Sequence, residues 1–135
     1  MEQEKSAPQA TEWLIRPRSV VIDCTNAGEL ADFYAALLGW QAEKGFDGLY
    51  CVSGGASSFR LLISEDEGYV PPVWPEEPGR QQKGMHLDFT VDDLDKAAAY
   101  AVSLGAVKSA KQYNPKQWIT LFDPAGHPFC LCLSE

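Results

Sequence analysis

A chain of 135 residues is the size of one domain, long enough to bury a core without disulfide or metal staples. Its 45% hydrophobic and 22% charged residues are ordinary for a soluble globular domain, and no apolar run approaches the length of a membrane span. The net charge of −8 argues against nucleic acid or an anionic membrane as partner, since both call for a basic surface.

Residues 1–17 carry no sustained periodicity and read as an N-terminal arm, followed by a single domain over 18–135. The segment "MEQEKSAPQATEW" lacks the order of a secretory leader, so a cytoplasmic location is expected. Next comes "SVVIDC" (19–24), a strand. Asn26 can cap a helix, with Glu29 answering three residues on as in a capping box. Leu30, Phe33, Tyr34, Leu37 and Leu38 fall on one apolar face, and Gly39 suits the left-handed position that ends a helix. Phe33 and Trp40 read as core. The segments "WQAEKG", "GLYCVS" and "SFRLLIS" then read as strands, separated by the turn pairs Asp47-Gly48 and Gly54-Gly55. This first module covers 18–64.

Residues 65–84, "EDEGYVPPVWPEEPGRQQKG", hold four prolines and no period, and read as a long crossing loop. Loops of this length are commonly functional or disordered. The second module, 85–134, repeats the first. "HLDFTVDDLDKAAAYAVSLG" echoes "SVVIDCTNAGELADFYAALLG", with His86 opposite Ser19, Leu87 opposite Val20 and Phe33 opposite Tyr100. A helix is expected from Asp92 or Asp93 to Gly105, burying Ala97, Tyr100, Ala101 and Leu104. The strands "AVKSAKQ", "QWITLFD" and "FCLCLS" follow, with "DPAG" as a turn that leaves His127 at its end.

Cys24, Cys51, Cys130 and Cys132 show no CxxC spacing and are read as buried thiols rather than disulfides or zinc ligands. Cys130 and Cys132, two apart on a strand, are about 7 Å apart at Cα and too far to bond.

Two βαβββ modules, with "ADFYAALLGW" after the first strand, "HLDFTVDDLD" opening the second unit and "FDPAGHPFCLCL" at the end, resemble the vicinal oxygen chelate superfamily. That group contains glyoxalases, bleomycin-resistance proteins and extradiol dioxygenases; the nearest likeness is to its small glyoxalase-like domains. The resemblance implies an α+β fold in which the two modules form an open eight-stranded, barrel-like sheet with helices outside. It also implies a homodimer. Strand alternation in such a fold turns Val20, Ile22, Cys24, Leu87, Phe89 and Val91 toward the helices, with Phe129, Leu131 and Leu133 in the core. Ser19, Val21, Asp23, His86, Asp88, Thr90, Cys130 and Cys132 then face the cavity.

Metal-dependent members place ligands at positions matching Ser19, Leu62, His86 and Cys130. A catalytic divalent ion wants about three protein ligands. Of the four, His86 is a strong donor and Cys130 a second, with Asp88 as a third if the cavity is narrow. The expectation is therefore no cofactor, a divalent metal being possible at an incomplete site around His86. His86 and Asp88 are the candidate catalytic groups. Ser19, Asp23, Arg60, Leu62, Trp74, Thr90, Trp118 and Cys130 are the candidate ligand contacts, and Tyr69 and Tyr113 add further rings. Three bland alternatives stand beside these: the aspartates pair with a cation such as Arg60, the cysteines are structural, and Trp74 packs in a dimer interface. A Cys130 nucleophile activated by His86 is a further alternative.

Two functions fit. One is a protein of the bleomycin-resistance kind that binds a small organic molecule without a complete metal site. The other is a glyoxalase-like lyase or isomerase, or a dioxygenase, acting on a small oxygenated substrate with His86 or an inward aspartate as base.

Overall fold

The computed structural model describes residues 15–56 and 59–134. Most of the expected arm and the first residue of "SFRLLIS" lie outside them. Each half folds as strand, helix and three strands. The first half is β1 (Ser19–Cys24), α1 (Ala27–Leu38), β2 (Gln41–Lys44), β3 (Leu49–Ser53) and β4 (Arg60–Glu65). The second is β5 (Leu87–Val91), α2 (Leu94–Ser103), β6 (Val107–Lys108), β7 (Trp118–Phe122) and β8 (Pro128–Leu133). Two four-stranded sheets result, ordered β1-β4-β3-β2 and β5-β8-β7-β6. In each, the first and last strands of the half run parallel and the other pairs antiparallel. Among the described residues the two sheets are not hydrogen-bonded to one another, so the barrel-like surface is open.

The caps form as their residues require. Asn26 is extended and its side-chain oxygen accepts the Glu29 N–H at 3.0 Å. Gly39, at φ 68, is left-handed and its N–H returns to the Ala35 carbonyl. Asp93 caps α2 by accepting the Lys96 N–H at 3.0 Å.

Alternation divides the faces as expected. Ile22 and Cys24 are buried and Val20 half-buried, while Val21 is 57% exposed and Asp23 exposed. Phe129 and Leu131 are buried, with Leu133 half-buried. One core crosses both halves: Phe33 and Tyr34 of α1 meet Phe129 of β8 at ring-centroid distances of 5.9 and 6.4 Å, and Tyr34 meets Phe89 of β5 at 6.3 Å.

Two expectations need correction. The buried face of α2 is Ala98 and Ala101; Ala97 and Leu104 are half-buried and Tyr100 is 48% exposed. Tyr100 leans across to α1 and donates its hydroxyl to the Ala36 carbonyl at 2.8 Å. That carbonyl is in the last turn of α1, where no helical N–H remains to satisfy it. The strand expected over "AVKSAKQ" shrinks to Val107–Lys108. The Gln112 side-chain amide replaces it, donating to the carbonyls of Ser109 and Thr120 and accepting the Thr120 N–H, at 2.8 to 2.9 Å.

Candidate functional site

On the sheet face away from the helices, Asp88 of β5 is level with Cys130 of β8, and Cys130 with Thr120 of β7. One pair further along, Thr90, Cys132 and Trp118 form the next row. His86 lies one residue before β5, and its Nε2 is 3.3 Å from Asp88 Oδ1. The linker carries Trp74 across this face. Its indole stacks on His86 at 5.4 Å and 29°, and on Tyr113 at 5.2 Å and 19°. A cavity of about 410 Å³ results, lined by Trp74, His86, Asp88, Tyr113, Trp118, Cys130 and Cys132.

A second cavity, about 440 Å³, follows the seam along β1, where Val21, Asp23, Tyr69, Lys83 and His127 are among its lining residues. His86 borders both cavities. The structure thus brings His86, Asp88, Trp74, Trp118 and Cys130 together and puts Asp23 next door. Ser19, Arg60, Leu62 and Thr90 line neither cavity. Ser19 and Arg60 are level with each other at the start of β1, whereas Asp23 is level with Ser64 near its end. Arg60 is therefore not beside Asp23 in the sheet, which weakens the alternative in which it pairs with that aspartate. Leu62 lies between Val21 and Cys51 on the first sheet.

Sequence reasoning placed His127 in a turn and stopped there. In the structure it belongs to a buried polar cluster that joins the halves. Asp123 is 2% exposed, and its carboxylate accepts the Tyr34 hydroxyl at 2.6 Å and the backbone N–H groups of Ala125 and His127 at 2.9 and 3.0 Å. It also meets His127 Nδ1 at 2.9 Å, which leaves the buried charge well compensated. His127 Nε2 is 2.7 Å from the Asp23 carbonyl of β1. Each ring nitrogen faces an acceptor, so both bonds form together only when both nitrogens carry a proton. Tyr69 of the linker lies against the imidazole at 5.0 Å and donates to the Ala125 carbonyl at 2.9 Å. At the same turn Gly126 has φ 93, and an added Cβ would lie 2.8 Å from that of Pro71, so the linker fits only over glycine. Burial, followed by the Asp123 charge, pushes Tyr34 and Tyr69 well above the ordinary tyrosine range. The signal for this cluster was an Asp and a His four apart across a tight turn, together with a tyrosine on a buried helix face whose hydroxyl needs a partner.

Residues 19–132 match the family described as the glyoxalase-like domain. The chain belongs to that family. Solved structures agree on the fold. A glyoxalase/bleomycin resistance protein/dioxygenase family enzyme from Burkholderia phytofirmans PsJN shares 18% identity at a TM-score of 0.64, over 85% of this chain and 95% of that one. A glyoxalase/bleomycin resistance protein from Albidiferax ferrireducens T118 shares 16% at 0.61, over 87% and 98%. TnmS3, an antibiotic binding protein from Streptomyces sp. CB03234, shares 16% at 0.60, over 90% and 98%. No curated protein is significantly similar in sequence. The resemblance to the vicinal oxygen chelate superfamily and its open sheet therefore holds, while the fold by itself selects no chemistry.

This glyoxalase-like domain does not reproduce the ligand positions of metal-dependent members. Leu62 has no donor atom. His86, Asp88 and Cys130 offer one N, one O and one S atom, all within 4.8 Å of one another. His86 Nε2 and Asp88 Oδ1, 3.3 Å apart, are at the spacing of two donors on a tetrahedral ion with bonds of roughly 2.0–2.3 Å, about 3.3–3.8 Å. Burial pushes the Cys130 thiol up, and the Asp88 charge adds to this against the Thr120 hydrogen bond. The same raised thiol weighs against a Cys130 nucleophile. Cys132 is raised by burial and by Asp88 as well.

Proposed function

We propose that the protein binds a small organic molecule with a flat ring system in the cavity on its second sheet, and holds it without a catalytic metal. The observation that carries this reading is the ring wall: Trp74 stacked on His86 and Tyr113, with Trp118 on the floor strand β7. An aromatic wall with few polar groups is the usual make-up of a small-molecule site. The fold is shared with an antibiotic-binding protein, which supports ligand binding as the activity. The reading takes the protein to be a cytoplasmic homodimer. Its four free thiols are at home in a reducing compartment, and Val21, Val70 and Met85, exposed by 57%, 57% and 78%, offer apolar surface around the seam. Among the described residues no helix is long and apolar enough to cross a membrane.

The test is titration with neutral flat aromatics such as acridine, followed by calorimetry, for the parent protein and Trp74→Ala. Binding in the parent, weakened about tenfold or more in a folded Trp74→Ala variant, is the expected result. Unchanged affinity together with a dimer that falls to monomers would assign Trp74 to the interface instead.

A second reading is favoured by the His86–Asp88 contact at 3.3 Å, an arrangement suited to proton abstraction from a small oxygenated substrate. His86→Gln separates the two readings: it abolishes turnover in an isomerase or lyase but leaves most affinity in a binding protein.

A further inference from the structure

The charges around the cavity carry the assignment one step further. Its lining contains four rings, two thiols and one carboxylate, Asp88. Among the described residues no lysine or arginine lines it. Asp88 Oδ1 is 3.3 Å from His86 Nε2, and 63% of the Asp88 side chain stays exposed. A carboxylate has about four acceptor sites, so capacity remains for a donor brought in by a ligand. The floor feels the same charge: after burial, the Asp88 carboxylate is a cause of the raised Cys130 and Cys132 thiols.

The nearby lysines do not reverse this sign. The Lys83 ammonium, 4.4 Å from the Trp74 ring centroid, is taken up by Glu76 at 3.3 Å. That of Lys111 is 5.6 Å from the Tyr113 ring. Neither lines this cavity, and both show that these rings accept an ammonium at cation–π range. The net charge of −8 adds a long-range field that draws cations and repels anions.

We infer that the ligand is a planar organic cation, a flat aromatic ring system bearing a basic nitrogen, with its ring on the aromatic wall and its N–H directed at Asp88. This inference rests on the reading of the cavity as a ligand site. A neutral ring could use the wall but would leave Asp88 without a new donor. An anionic ring would meet the carboxylate with no compensating lysine or arginine in the lining.

Three acridines of nearly equal shape form the test at pH 7: 9-aminoacridine (cationic), acridine (neutral) and acridine-9-carboxylate (anionic). Their affinities are measured by calorimetry for the parent, Asp88→Asn and Trp74→Ala, with circular dichroism as the check on folding. The expected order is cation, then neutral, then anion, with about five- to tenfold between the first two, the range of a charge-assisted bond at a half-exposed site. Asp88→Asn should remove the advantage of 9-aminoacridine over acridine. If the three bind equally in the parent and all weaken in Trp74→Ala, the charge assignment is wrong and the ring-binding site stands. If none of them binds, both fall.

Discussion

Removing one oxygen from the cluster that joins the two halves should cost the protein a large share of its stability. Tyr34→Phe keeps the ring, and with it the contacts to Phe33, Phe89 and Phe129 at 5.0 to 6.4 Å. It deletes only the hydroxyl that donates to Asp123 at 2.6 Å. A buried hydrogen bond to a charged group contributes about 1.5–3 kcal/mol. Asp123 keeps two backbone N–H donors and the His127 contact, so the carboxylate is not orphaned and the cost should lie near 2 kcal/mol, about the middle of that range. For a chain of this length that corresponds to a fall of roughly 7 °C in Tm. Equilibrium urea unfolding gives the free energy, and a cycle with Asp123→Asn isolates the pair. The single change at Asp123 should cost more, about 3–5 kcal/mol, because His127 loses its carboxylate as well. The two should combine with a coupling of at least about 0.5 kcal/mol. A Tyr34→Phe variant as stable as the parent, or strictly additive costs, would refute the view that this bond ties the halves together.

Three further outcomes are expected. Alkaline pH should destabilise the fold: burial pushes the Cys24 thiol from 9.0 up to about 11, so between these values the unfolded chain releases a proton that the native state keeps. The stability present below pH 9 should fall by up to about 3 kcal/mol by pH 11, with the raised Tyr34 adding to the loss from pH 10 upward. Urea midpoints at pH 8 and 10.5 in reductant check this, and an equal drop in Cys24→Ala would assign the loss to other groups. Protein prepared without a histidine tag, incubated with zinc, nickel, manganese or iron and dialysed, should retain far less than one ion per chain; stoichiometric retention lost in His86→Ala would overturn the metal-free reading. Gln112→Ala should cost about 1–3 kcal/mol and speed amide exchange at Thr120, since it leaves the buried Thr120 N–H without its acceptor while the Thr120 carbonyl keeps the Ser109 N–H; unchanged exchange would mean that solvent or a neighbour replaces the amide.

The parts of the fold that could be read in advance are those governed by local chemistry. Asn26, Gly39 and the 3.6-residue stripe of α1 each act within one turn of helix, and the period-two face of β1 and β5 needs only a buried partner somewhere. The errors arose where a side chain met something distant in sequence. Tyr100 satisfies the helical period for burial, but the Ala36 carbonyl of α1, 64 residues away, captures its hydroxyl. "AVKSAKQ" has a plausible strand pattern, yet the ladder there is completed by the Gln112 side chain, which no periodicity signals.

The candidate site divides along the same line. His86 and Asp88 could be placed on one face because they are two apart in or beside one strand, and the register adds Cys130 and Trp118. Trp74 could be singled out as an indole on a proline-rich loop, but its stacking partners are 12 and 39 positions further along, so which rings it meets is a property of the tertiary path. His127 shows the reverse. Its local sequence looks like a plain turn, while its function in the fold depends on Tyr34, Asp23 and Tyr69 arriving from α1, β1 and the linker. Tyr69 and Pro71 press the linker onto that turn, and three residues later the same linker delivers Trp74 to the cavity. The cluster that joins the halves therefore fixes one end of the segment that carries the cavity-lining ring. Loosening it should disturb the cavity without touching a residue that lines the aromatic wall.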